Sequence, residues 1–157
     1  MFNNLIGGKE MKANELMIGD WVQHQNHDVV GKVIFINTQP DLMHYQHKSA
    51  TIQAVYPTGN MLCHCKVSLF EPIPLTTEIL EKSGFEPIRQ DAGEPYYWQF
   101  FDKEEGHVIN AFRRIYRGLW IECSNAITET SVNKQCEYVH ELQHALRLAG
   151  IEKEIIL

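Results

Sequence analysis

The stretch Glu71-Pro72-Ile73-Pro74-Leu75-Thr76-Thr77-Glu78-Ile79-Leu80 divides the chain into two parts of different character. Two prolines in three residues fix the backbone and remove two donors, so Glu71 to Leu75 suits neither a helix nor a central strand and reads as a linker. Directly after it, Thr76 is an N-cap, Glu78 lies in the first turn where a carboxylate is favoured, and Gly84 supplies a stop. This pattern predicts a short helix through Ile79 and Leu80.

Upstream of the prolines the chain reads as β. Ala13-Asn14-Glu15-Leu16 suits one helical turn and Gly19-Asp20 a turn before Trp21-Val22. Three β-branched and aromatic runs follow, Val29 to Ile36, Ala50 to Tyr56 and Met61 to Phe70. They are separated by Asn26-His27-Asp28, Gln39-Pro40-Asp41 and Pro57-Thr58-Gly59-Asn60. Turn signals at such short spacing predict a small antiparallel, barrel-like module of SH3-like type. Alternation across Thr51 to Tyr56 is imperfect, so it does not settle which face is buried. Residues 1–10, with Gly7-Gly8 and no apolar period, read as a flexible lead-in.

Downstream, Asp91-Ala92-Gly93-Glu94-Pro95 is a turn before three strand-like runs, Tyr96 to Phe101, His107 to Tyr116 and Leu119 to Cys123. Arg117-Gly118 is the expected tight turn between the last two. From Val132 the spacing becomes helical, with Cys136, Val139, Leu142, Leu146 and Ala149 on one side, which predicts a helix over about 132–149 ended by Gly150. The tail Ile151 to Leu157 is an edge strand or a fraying end. The fold class is α+β: lead-in 1–10, β module 11–71, and an α+β portion 72–157. Each part alone is near the lower size limit for an independent core, so the two are expected to pack together.

Composition narrows the function classes. Hydrophobic residues at 44% and charged residues at 22% of 157 are those of a folded globular chain, which excludes disorder and coiled coil. A net charge of −6 argues against a protein that coats a polyphosphate backbone, although a local basic patch stays open. No run approaches a membrane span, and the start MFNNLIGGKE lacks a signal-peptide pattern. A soluble, cytoplasmic protein with no membrane partner is the expectation, and Cys63, Cys65, Cys123 and Cys136 are then reduced thiols. There is no P-loop, nucleophile elbow or dinucleotide glycine fingerprint in the sequence.

His140-Glu141-Leu142-Gln143-His144 matches H-E-x-x-H, the spacing with which a helix presents two imidazoles to one zinc ion and a glutamate to its bound water. A catalytic zinc needs a third ligand. Position 150, where the extended pattern wants histidine, is Gly150, and no spacing selects among Cys63, His64, Cys65, His107 and Cys123. On a helical wheel His140 and His144 point away from Val139, Leu142 and Leu146, toward water. Two polar surface histidines are the plain alternative, and the expected cofactor set is none, with zinc as the alternative. His24-Gln25-Asn26-His27, His44-Tyr45-Gln46-His47 and Cys63-His64-Cys65 carry ligand-type residues at close spacing without paired knuckles. Loop histidines and half-buried thiols account for them equally.

Tyr96-Tyr97-Trp98-Gln99-Phe100-Phe101 and Phe112-Arg113-Arg114-Ile115-Tyr116-Arg117-Gly118-Leu119-Trp120 set rings beside arginines. Single-stranded nucleic acid is bound by such combinations, with Trp98, Arg113, Arg114 and Tyr116 as the candidate residues. Alternatively, alternate rings fill the core while the arginines stay solvated.

Three blocks, Met11-Lys12-Ala13-Asn14-Glu15-Leu16-Met17-Ile18-Gly19-Asp20-Trp21-Val22, Pro72-Ile73-Pro74-Leu75-Thr76-Thr77-Glu78-Ile79-Leu80 with Gly84-Phe85, and Tyr138-Val139-His140-Glu141-Leu142-Gln143-His144, resemble a family of small uncharacterised bacterial proteins of gut anaerobes and their prophages or mobile elements. The resemblance brings no activity. In that family the last block reads V-H-x-L-Q-N, so it implies that Glu141 and His144 are not fixed positions and that Val139 and Leu142 anchor packing. It also implies Met11 as the usual start. The functional expectation is a non-enzymatic binding or accessory protein whose partner is a protein or a nucleic acid. A zinc hydrolase using His140, His144 and Glu141 is the enzymatic alternative.

Overall fold

The computed structural model describes residues 11–25, 29–38, 50–59, 61–89, 97–113 and 118–157, the side chains of 61–64 excepted. The lead-in 1–10 and the turns expected at 26–28, 39–41 and 91–95 lie outside these residues. The chain divides between Ile73 and Pro74 into two units, each built on a five-stranded antiparallel sheet, and the class is α+β.

In the first unit a 3-10 turn, Ala13–Glu15, precedes β1 (Trp21–His24), β2 (Val29–Asn37), β3 (Thr51–Val55) and β4 (Met61–Lys66). The run Met61 to Phe70 is not one strand. A second 3-10 turn, Val67–Leu69, breaks it before β5 (Phe70–Pro72). Residues i and i+3 of such a turn eclipse, so Val67 and Phe70 both reach the core, where Met11, Leu16, Val22, Val33, Ile52 and Ala54 join them. The strand order is β4-β3-β2-β1-β5, with β4 and β5 as edges rather than a closed barrel. Pro72 pairs with Val22 on the β5 edge, the place in a sheet where a missing N–H is tolerated. Glu71 and Pro72 are therefore strand rather than linker. Met17–Asp20 forms the expected turn: the buried Asp20 carboxylate accepts the Met17 amide at 2.7 Å, and Gly19 N–H donates to the Val33 carbonyl.

The second unit runs α1 (Thr77–Lys82), β6 (Glu86–Ile88), β7 (Tyr97–Asp102), β8 (His107–Arg113), β9 (Leu119–Asn125), β10 (Thr130–Cys136) and α2 (Val139–Leu148). Its strands meander in the order β10-β9-β8-β7-β6. The start of α1 follows its sequence signals, with Thr76 Oγ1 accepting the Ile79 amide. The helix expected over 132–149 is shorter. Thr130–Cys136 is strand β10, whose inward positions Val132, Lys134 and Cys136 repeat every two residues. The helix begins only at Val139 and ends before Gly150, at φ +68°. Arg113 pairs with Leu119, so β8 and β9 are joined by 114–118 rather than by a two-residue turn at Arg117-Gly118. The tail 151–157 neither pairs as a strand nor frays. Ile151 and Ile155 are buried, and the Ile156 amide donates to Ser83 Oγ at 2.9 Å.

Register divides the second sheet into two faces, because residues directly opposed on neighbouring strands share a side. One face carries Trp98, Ala111 and Ile121, with Phe100, Ile109 and Cys123 in the next row. Both helices lie here. Trp98 Nε1–H donates to Glu81 Oε1 of α1 at 2.9 Å, and Asn125 and Thr130 donate to the carbonyls of Gly150 and Ala149 at the end of α2.

Candidate functional site

The H-E-x-x-H segment occupies the first turns of α2. Tyr138 pairs with Pro74, and Leu75 N–H donates to the Glu137 carbonyl, so a neighbouring segment walls the helix start. His140 is 4% exposed, not turned to water as the wheel predicts. Its ring stacks on Tyr138 at 5.8 Å and 12°, and meets the half-buried His144 edge-on at 5.7 Å. The enclosed Nδ1 of His140 makes no hydrogen bond, although the residue has further interactions. Glu141 turns back along the chain: Oε2 accepts the amides of Glu137 at 2.7 Å and Tyr138 at 3.2 Å. That carboxylate satisfies helix-start donors rather than facing a shared metal position between the imidazoles. Among the described residues no group of three ligand-type side chains comes together. The other candidate ligands are scattered or undescribed. His24 packs edge-on against Phe70 in the first unit, whereas His27, His44 and His47 and the side chains of Cys63 and His64 lie outside the described residues.

Cys123 and Cys136 are free, fully buried thiols on the helix-covered face, and burial pushes both up to about 12. A thiol held protonated in this way is a packing group and not a nucleophile. The Cys65 side chain is partly buried in β4.

The aromatic and basic run is split by the pleat. Trp98 is 1% exposed, so its ring has no open face for a base. Arg113 stands 5.7 Å from that ring on the same, helix-covered side, while Arg114 and Tyr116 lie outside the described residues. The opposite face carries a different set. Ile88, Tyr97, Phe112, Trp120 and Gln135 form one cross-strand row. Glu86, Gln99, Asn110, Glu122 and Asn133 form the next. Tyr97, Phe112 and Trp120 are half-buried, and the Tyr97 and Phe112 rings lie 5.3 Å apart at 31°. Trp120 Nε1–H donates to Glu122 Oε1 at 3.3 Å, and Gln99 Nε2 donates to Asn110 Oδ1 at 2.8 Å. Every ring of this row was visible in the sequence, but only the β8–β9 register shows that they form one row.

Among the described residues of the second unit, clefts lie along α2 and beyond its C-terminal end. One of about 580 Å³ is lined by Gln143, Arg147, Glu152 and Lys153, and one of about 460 Å³ by Asp102, Glu105, His107 and Asn125. Lys153 Nζ lies 3.6 Å over the Phe100 ring, and desolvation lowers its pKa against the opposing pull of Asp102. Asp102 Oδ1 is engaged by the amides of Glu104 and Glu105. No helix among the described residues is long and apolar enough to cross a membrane. No protein-family model, curated protein or solved structure matches this chain.

Proposed function

We propose that this chain is a non-enzymatic binding or accessory protein whose working surface is the face of the second sheet turned away from the helices. The observation that carries this reading is the pair of adjacent rows on that face, rings in one and amides and carboxylates in the other. A sheet that buries one side needs polar residues on the other. Three aromatic rings in register there add nothing to the helix-covered core and are the usual substance of recognition surfaces. The hydrolase reading loses support from Glu141, whose carboxylate caps α2. The nucleic-acid reading loses support from the burial of Trp98 and from the placement of Arg113 on the opposite side.

The finer points of the reading follow from sequence and topology. The order β4-β3-β2-β1-β5, with a 3-10 turn leading into the last strand, supports an SH3-like first unit. The three sequence blocks support a bacterial, prophage or mobile-element origin. The test compares wild type with Glu141→Gln on peptide, ester and phosphoester panels, together with metal analysis of untagged protein. The expected result is no turnover that depends on Glu141. Turnover abolished by Glu141→Gln with near-stoichiometric zinc still bound would overturn the reading in favour of the hydrolase.

A further inference from the structure

We propose that the cleft beyond the C-terminal end of α2 is a second site, separate from the face described above, and that its ligand is an aliphatic primary amine held as the ammonium ion. Register sets Asp102, His107 and Asn125 side by side on the helix-covered side of the sheet, one row beyond Phe100, Ile109 and Cys123. The two flanking residues are engaged in the adjoining turns. Asp102 Oδ1 accepts the amides of Glu104 and Glu105 at 3.0 and 3.2 Å, and Asn125 Oδ1 accepts those of Ile127 and Thr128 at 3.0 and 3.1 Å. His107, between them, is 9% exposed, and among the described residues no hydrogen bond, ion pair or ring contact holds its imidazole. The one described side-chain nitrogen or oxygen that is enclosed and lacks a hydrogen bond is His140 Nδ1, so the His107 nitrogens keep contact with solvent, and the solvent they meet is the cleft that His107 lines. An imidazole buried to nine-tenths, with its hydrogen-bonding edge open to a cleft, is a group held ready for a ligand.

Charge and spacing select the ligand. The described residues lining the cleft include the carboxylates of Asp102, Glu105 and Glu152 and no lysine or arginine, and the carbonyl end of α2 at Gly150 adds partial negative charge. Lys153 lines the adjoining cleft, with Nζ 3.6 Å over the Phe100 ring. The links 90–96 and 114–117, outside the described residues, attach at the far ends of β7, β8 and β9. A metal ion draws its donors to about 2.0–2.6 Å, and among the described residues no three ligand-type side chains gather to hold one. An ammonium hydrogen-bonds at about 2.8 Å and so bridges a wider set. Directly opposed side chains start about 4.5–5.5 Å apart at Cβ, which lets one N–H reach Asp102 Oδ2 and another the imidazole, and leaves the third for the carboxylates at the rim. The cleft, of about 460 Å³, exceeds an ammonium alone, and Ile127 on its wall is exposed to give the attached methylenes apolar contact.

The experiment follows the backbone amide signals of residues 102–107 and 125–128 in the full-length, 15N-labelled protein at constant ionic strength. Four probes are added: putrescine, its bis-quaternary analogue with every N–H methylated, the butanediol of the same length, and zinc chloride. Putrescine is expected to move these signals saturably, with an affinity about tenfold or more lower in Asp102→Asn and in His107→Phe. Asp102→Asn keeps the Oδ1 acceptor for the two turn amides while removing the charge, and the rest of the spectrum shows that each variant is folded. The quaternary ion, the diol and zinc are expected to leave the signals in place. A shift from the quaternary ion would reduce the cleft to a non-specific acidic surface, and one from zinc would make it a metal site. Either of these, a shift from the diol, no response to putrescine, or a putrescine response unchanged in either variant would overturn the inference. Failure here is distinct from failure of the binding reading, which falls on Glu141-dependent turnover.

Discussion

Replacing Glu141 separates a capping role from a catalytic one, because the two assign different energies to the same carboxylate. Oε2 accepts two amides at the start of α2, from Glu137 at 2.7 Å and Tyr138 at 3.2 Å, both part-buried. A charge-assisted bond of this kind contributes about 1.5 kcal/mol and a weaker, longer one about 0.5 kcal/mol. Glu141→Ala is therefore expected to lower stability by about 2 kcal/mol. Glu141→Gln keeps an acceptor oxygen but loses the charge that complements the helix dipole, so about 1 kcal/mol is expected. With a urea slope of about 2 kcal/mol/M, the alanine variant shifts the unfolding midpoint by about 1 M and the glutamine variant by about half that. Tryptophan fluorescence follows the transition, since Trp98 is buried in the same unit. An alanine midpoint within about 0.2 M of wild type would refute the capping argument, because a carboxylate that stabilises nothing in the ground state is the one available for chemistry.

Three further outcomes test the packing. Burial raises the thiols of Cys123 and Cys136 from 9.0 to about 12, so the stability this represents is complete below about pH 9 and is lost as pH rises toward 12. At pH 10 the loss is about 1.4 kcal/mol per thiol, and a thermal midpoint that falls less steeply from pH 8 to pH 10.5 in Cys123→Ala/Cys136→Ala is expected. An identical slope in both proteins would contradict it. Gly118 has φ +79°, and a Cβ there would stand 2.6 Å from the Cys136 carbonyl oxygen. Gly118→Ala should cost about 2–4 kcal/mol in urea unfolding, and a change under about 1 kcal/mol would show that this approach is not as tight as described. Trp98→Phe keeps most of the ring but removes the donor to the Glu81 carboxylate, which is exposed and can bind water instead, and should cost about 0.5–1.5 kcal/mol. If Glu81→Gln combined with Trp98→Phe is no less destabilising than the sum of the single changes, the bond carries no coupling.

What the sequence disclosed was what local chemistry decides. Thr76 caps α1, Gly150 ends α2, the Gly19-Asp20 turn forms, and the β-branched runs of both units become strands, because each depends on residues within a few positions of one another. What it withheld depends on pairing across distance. Thr130–Cys136 is polar enough to pass for the approach to a helix, and only the partner strand β9 makes its two-residue period count. Glu86–Ile88 contains Pro87 and becomes strand at the sheet edge beside β7. His140 is buried because Tyr138 stacks on it and the 74–75 segment pairs beside it, and no helical wheel contains either neighbour.

The same limit decided the candidate site. A two-residue turn at Arg117-Gly118 would have set Ile115 against Trp120; the true register sets Phe112 there, with Tyr97 beyond. A shift of that kind reassigns every ring on β8 relative to β9. The residues with the strongest sequence signals, His140, Glu141, Trp98 and the thiols, sit on or beside the helix-covered face, held by a ring stack, a cap, a hydrogen bond to Glu81 and burial. Each has a structural role sufficient to account for it. On the opposite face, the one neither helix of this unit covers, register sets Tyr97, Phe112 and Trp120 in one row beside Glu122. The proposed working surface is therefore the side of this sheet on which register across four strands, rather than any local signal, brings rings and carboxylates together.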